Sequence, residues 1–116
     1  MSISTFNNVE IIGIAGTVPK GIVSNLNDHP NVSQDEKEKI IQLTGISEYR
    51  KSTKEVCSSD LCQRSAETLF SEMDIDPSTI DAIIFVTQTP DYRLPSTACI
   101  LQHKLGCNTS TIAFDM

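Results

Sequence analysis

Apolar positions along this chain fall into short unbroken runs and helical stripes that take turns, and this alternation predicts an α/β fold. The clearest pattern lies between residues 80 and 116. Ala82 to Val86 is a continuous apolar run, which suits a strand buried on both faces of a parallel sheet. Thr87 to Leu94 is polar and holds Pro90, so the strand should stop there. Pro95 fits the first turn of a helix. Ala98, Ile100, Leu101 and Leu105 then recur at helical spacing, and Gly106 fits the position just past a helix end. Ile112 to Phe114 predicts a second short strand.

The first eighty residues carry the same grammar. Val9 to Ala15 reads as a strand with small residues, and Thr17 to Gly21 as a turn in which Gly21 is free to take positive φ. Asn25 to Asn31 is a loop rich in Asn and Asp. Ser33-Gln-Asp-Glu36 is a capping-box pattern that opens a helix, with Ile40, Ile41 and Leu43 on its apolar side and Gly45 at its end. The charges Glu36 to Lys39 read most simply as a solvated face. Ser47 to Val56 is an exposed connection or short irregular strand. Ser58 or Ser59 can cap the next helix, whose stripe is Cys62, Ala66, Leu69, Phe70 and Met73. The predicted order is strand, helix, helix, strand, helix, strand. No repeat, linker or composition break divides it, so it is one domain or part of one.

Composition narrows the function classes. The 116 residues are 39% hydrophobic and 21% charged, with a net charge of −6. That balance argues against a nucleic-acid surface. No apolar run reaches membrane-spanning length, and Met1 to Asn8 lacks a leader pattern, so a soluble cytoplasmic protein is expected. Cys57, Cys62, Cys99 and Cys107 form no Cys-x-x-Cys pair, and with His29 and His103 they lack zinc-ligand spacing. They read as small buried or half-buried thiols. Cys99 and His103 stand four apart on a predicted helix, a spacing common by chance.

Several segments are collinear with one known family. Thr89-Pro-Asp-Tyr-Arg-Leu-Pro-Ser-Thr-Ala-Cys99, Gln102, Leu105-Gly106 and Ala113-Phe-Asp115 resemble the ketoacyl-acyl-carrier-protein synthase III family of the thiolase superfamily. Ile11-Ile-Gly-Ile-Ala-Gly-Thr-Val-Pro19 and Leu43-Thr-Gly-Ile46 with Arg50 resemble its first strand and its Thr-Gly-Ile segment. The resemblance implies the incomplete N-terminal half of a thiolase-like fold, a mostly parallel sheet with flanking helices. It implies a condensing enzyme that moves an acyl group onto a cysteine and then joins it to malonyl-carrier protein in fatty acid or related biosynthesis. Such chemistry needs a thiolate, oxyanion donors and groups that stabilise a carbanion.

In the family these roles fall to a cysteine at the start of a buried helix, a histidine and an asparagine. The cysteine comes about four positions past Met116 and the others much later, so no catalytic residue carries over. Cys99 falls where the family uses a packing residue. Thr44 and Leu94 are the candidate substrate-binding residues. Lys39 and Leu43 stand where acyl-CoA-primed members carry a tryptophan and an arginine that clamp adenine. Leu94 stands where several members carry a phenylalanine that crosses the dimer interface into the partner's acyl pocket. The resemblance thus implies acyl-CoA or acyl-carrier-protein substrates, an acyl carrier protein as partner, a homodimer at full length, and no cofactor or metal. The alternative reading is a truncated, catalytically inactive scaffold or interaction fragment. Either way, one side of the sheet and several apolar helix faces should lie uncovered, leaving the isolated chain marginal or aggregation-prone.

Overall fold

The run at residue 82 does become a strand, and its neighbour is the run thirty residues later. In a computed structural model describing Thr5 and residues 7–116, β3 (Ala82–Phe85) pairs in parallel with β4 (Ile112–Asp115). The register runs from Ala82 opposite Ile112 to Phe85 opposite Asp115. The ladder extends at both ends, through Ile112 N–H to Asp81 O at 2.9 Å and Met116 N–H to Phe85 O at 2.9 Å. The crossover between them is α3 (Thr97–Lys104), which lies on one face. Phe85, Ala98 and Leu101 are buried there, with Ile83, Leu105 and Ala113 packed around them.

The expected burial of β3 on both faces is not observed. Successive strand side chains point to opposite faces. Ile83 and Phe85 therefore meet α3, while Ile84 points away with Ile112 and Phe114 of β4, and all three are exposed. An apolar run records what could be buried, and among the described residues nothing covers the second face.

The helices match their signals with shifted ends. The expected start of α3 at Pro95 is corrected: Ser96 is the N-cap and Thr97 the first helical residue. Gly106 takes φ +73° just past the helix end, as its position required. In α2 (Ser58–Met73) the cap is Cys57, one residue before the expected serines, because the Asp60 carboxylate reaches back to accept from Cys57 N–H at 2.9 Å. Its stripe is half-buried at Ala66, Leu69 and Phe70 but exposed at Cys62 and Met73. A short 3-10 turn, Pro77–Thr79, leads into β3.

The other sheet is a separate antiparallel ribbon. β1 (Gly21–Ser24) pairs with β2 (Glu48–Lys51), Gly21 opposite Lys51. The turn expected at Gly21 is thus a strand. Glycine is required there for a different reason: a Cβ would lie 2.7 Å from the Lys51 carbonyl oxygen. Between the two strands runs α1 (Gln34–Thr44), opened by the full capping box of Ser33 and Glu36 and closed by Gly45 at φ +72°. Lys37 departs from the solvated-face reading, because its ammonium donates to Leu26 O at 3.2 Å. Asn25 anchors the same loop through its N–H to Ser47 O and its side chain to Ile46 O.

Val9 to Ala15, expected as a strand, is unpaired. A strand needs an edge to join, and no described strand offers one here. The segment instead passes over the end of α2, where a Cβ on Gly13 would meet Leu69 and Met73. Most of Met1 to Asn8 lies outside the described residues. The radius of gyration is 18.6 Å, against about 13 Å for a compact domain of this length. The accessible surface is 9316 Å², against about 6,200 Å² for a folded monomer of this mass. These layers are open rather than closed on one another.

Candidate functional site at the carboxyl ends of the parallel strands

In open α/β sheets, ligands gather outside the carboxyl ends of the strands. Here those ends are Phe85 and Asp115, side by side. The loop leaving β3, Thr87 to Ser96, and the N-termini of α2 and α3 converge on them. Two carboxylates hold the arrangement together. Asp115 accepts from Thr97 N–H through Oδ2 and from Ala98 N–H through Oδ1, both at 2.7 Å. It thereby occupies the positive end of α3. Asp91, in the loop, does the same for α2, accepting from Ser59 N–H at 3.4 Å and from the Ser59 hydroxyl. Ser59 is fully buried. Lys104, from the far end of α3, closes the group with bonds to Asp60 Oδ1 at 2.8 Å and Ser59 Oγ at 3.4 Å.

The electrostatics follow from these contacts. Burial pushes the Asp115 carboxyl up, but the N–H donors of Ala98 and Thr97 outweigh it, and the group ends below the usual carboxylate range. The Thr97 hydroxyl lies close enough to add to that depression, yet it makes no hydrogen bond of ordinary geometry. The Lys104 ammonium, followed by Cys57 N–H, lowers Asp60, and Asp60 in return raises Lys104. Asp115 is therefore a fixed anion and an acceptor, unsuited to proton transfer near neutral pH.

The thiols do not form a catalytic centre. Cys99 accepts from the Ser96 hydroxyl at 3.1 Å and donates to Ala113 O at 3.8 Å; neither contact is to His103, which is exposed. Burial raises the Cys107 thiol, and burial together with the Asp91 charge raises Cys62. Cys57, Cys62 and Cys99 are exposed rather than buried or half-buried as expected, because the surfaces they sit on carry no second layer. Among the described residues no cluster of His, Cys, Asp or Glu could hold a metal ion, and no helix is long and apolar enough to cross a membrane.

The candidate substrate residues separate. Leu94 lies on the loop at this end of the sheet, 86% exposed. Thr44 lies elsewhere, at the end of α1, where its hydroxyl donates to Ile40 O at 2.7 Å and accepts from Ile46 N–H at 3.2 Å. Lys39 and Leu43 are exposed on the same helix. Asp91, Asp115, Ser59 and Lys104 were not singled out as site residues by their sequence. The available signal was a lone carboxylate directly following the apolar run at 112–114. A second concavity, a cleft of about 880 Å³, lies between the ribbon and α2, lined by Val18, Gly21, Lys51, Leu61 and Arg64 among others. Its cations are matched by Glu55, Asp60 and Glu67, so it presents no net field to a charged ligand.

Comparison with known proteins agrees with this geometry. No family model matches the chain. The putative 3-oxoacyl-[acyl-carrier-protein] synthase 3 of Campylobacter jejuni is 34% identical over 114 residues, which cover 96% of this chain and 32% of that protein. The beta-ketoacyl-[acyl-carrier-protein] synthase III of Latilactobacillus sakei is 44% identical over 107 residues, 92% of this chain and 32% of that protein. The crystal structure of a 3-oxoacyl-(acyl-carrier protein) synthase from Burkholderia xenovorans superposes with a TM-score of 0.81 at 33% identity, over 89% of this chain and 30% of that one. OleA of Xanthomonas campestris superposes with a TM-score of 0.83 at 25% identity, over 96% of this chain and 34% of that one. The chain spans about a third of the length of the curated relatives it matches. Sequence and fold thus give the same answer as the β3–β4 pair and its flanking loop: over nearly all of its length the chain is similar to enzymes of the 3-oxoacyl-[acyl-carrier-protein] synthase III type, and it has their thiolase-like α/β fold.

Proposed function

We propose that this chain is the N-terminal part of a cytoplasmic condensing enzyme of the 3-oxoacyl-[acyl-carrier-protein] synthase III type. In that enzyme an acyl group arrives from coenzyme A or a carrier protein and forms a thioester with a cysteine supplied beyond Met116. The thioester then condenses with malonyl-carrier protein as carbon dioxide leaves. The observation that carries the proposal is the parallel β3–β4 pair with its adjacent carboxyl ends and one bare apolar face. A helix following β4 and folding back on Ile84, Ile112 and Phe114 would cover that face. Its N-terminus, where a dipole favours a thiolate, would then lie at the carboxyl ends of the strands.

The same reading gives Leu94 its role at the rim, selecting the acyl chain across a homodimer contact. Lys39 and Leu43 replace an adenine clamp with an ammonium and an aliphatic side chain. That exchange favours an acyl donor other than acetyl-CoA. A second reading, an inactive scaffold fragment, draws on the four thiols, none of which is paired with a base.

Intact-mass spectrometry separates the two. The polypeptide continued through the family's cysteine is incubated with acyl-CoA and acyl-carrier-protein donors. One acyl group gained per folded chain supports the enzyme. A folded protein that gains none from any donor overturns it in favour of the scaffold.

A further inference from the structure

We propose that Asp115 is a positioning residue that locks the acyl-selecting loop, Thr87 to Ser96, to the strand end from which the nucleophile follows. The inference rests on the condensing-enzyme reading for its catalytic consequence, but its structural half stands on the geometry alone. The loop is held at several places, among them Thr89, whose carbonyl and hydroxyl oxygens lie 3.4 and 3.3 Å from Ser58 Oγ. Thr87 N–H donates to Met116 O at 3.1 Å, which ties the loop's start to the residue after Asp115. Asp91 holds its middle to the buried N-terminus of α2. Asp115 holds its end, because Thr97 and Ala98, its two donors, follow directly on Leu94-Pro95-Ser96.

Between these anchors Tyr92 to Leu94 are exposed, as are Gln88 to Pro90 and Pro95. Two of these contacts belong to Asp115, the end of β4, and to Met116 after it, and among the described residues Asp115 supplies the only charged link between that strand and α3, the helix the loop runs into. A charge-assisted bond made twice, by both oxygens of one carboxylate, fixes direction as well as distance. Movement of the strand end and movement of the Leu94 tip are thereby the same movement. In the assembled enzyme this fixes where the side chain at 94 leaves its own subunit toward the partner's acyl pocket.

Two substitutions in the full-length enzyme test this. Asp115→Asn removes the charge and sets an amide N–H₂ against a backbone donor. Thr97→Pro deletes one donor and leaves the carboxylate; proline is well tolerated as a first helical residue, and Ser96, at ψ 147°, has the backbone that precedes a proline. Hydrogen exchange read by mass spectrometry follows the Thr87 and Thr89 amides, at the far end of the loop. Acyl-chain-length profiles are measured as kcat and KM separately. Both variants should speed exchange at Thr87 and Thr89 by about tenfold or more. Both should also flatten the chain-length preference chiefly through KM.

Unchanged exchange at the far end and an unchanged chain-length profile, with only a lower melting temperature, would reduce Asp115 to a local helix cap and overturn the inference. Should the Asn variant fail to fold, Thr97→Pro alone decides. Should the unsubstituted enzyme take up no acyl group, the condensing-enzyme reading fails, and the exchange measurement still decides whether Asp115 positions the loop.

Discussion

Replacing Ile84 and Ile112 together with threonine separates a face that is meant to be covered from one that is merely exposed. Both side chains lie on the bare side of the parallel pair, 55% and 63% exposed, beside Phe114 at 41%. Full burial of one such side chain contributes about 2–3 kcal/mol. The fractions still exposed at the two isoleucines therefore hold back about 2–4 kcal/mol, released only when a further layer packs on them. That is a large part of the stability of an ordinary domain.

Threonine keeps the β-branched shape that suits a strand, so strand propensity is not the variable. In the 116-residue chain the pair of substitutions should cost little. It should also reduce dye binding to exposed apolar surface and lower the sedimenting mass, since an exposed patch of this kind drives association. In a polypeptide extended through the rest of the family's fold, the same pair should lower the unfolding free energy in urea by about 2–4 kcal/mol. Equal losses in both proteins, or none in the extended one, would refute the claim that this face is built for a covering layer.

Other expectations follow from single contacts. Leu94→Phe in the full-length enzyme should shorten the accepted acyl chain; an unchanged length preference would remove Leu94 from the pocket. Gly21→Ala should destabilise the β1–β2 ribbon, because the added Cβ meets a backbone oxygen that cannot move aside, and normal protection of the Lys51 region in hydrogen exchange would argue otherwise. Stability should fall on acidification, followed by circular dichroism. The Tyr49 hydroxyl, then Lys51, holds Asp28 at about 2, and Asp60 and Asp115 are also lowered. Their contribution is complete above the unfolded carboxylate value of about 4 and disappears as pH drops toward 2. A flat signal across that interval would count against these pairings.

Local signals were the legible part of the fold. The Ser33–Glu36 capping box, Gly45, Gly106 and the apolar runs at 82 and 112 each produced the element they announced, because each acts over a few residues. The parallel pairing was also readable, since an intervening helix leaves few other topologies. Burial was not. Val9 to Ala15 and the second face of β3 are apolar in sequence and uncovered in the structure, because an apolar pattern states a requirement and the partner lies in other residues. The site was half legible. The motif placed Leu94 on the loop at the strand ends, where it lies exposed, while Asp91 and Asp115 act through backbone N–H groups at helix starts that only the fold brings near them. Thr44 was drawn from a motif, and its hydroxyl is engaged at the end of its own helix.

The most direct test of the account is to locate the acyl group by peptide mapping after donor incubation of the extended polypeptide. The account predicts a single thioester on the cysteine that follows Asp115 by about five residues, at the carboxyl ends of β3 and β4, with Cys57, Cys62, Cys99 and Cys107 unmodified. A thioester on Cys99 or Cys107, or an unmodified cysteine after Asp115 in a folded protein, would contradict it.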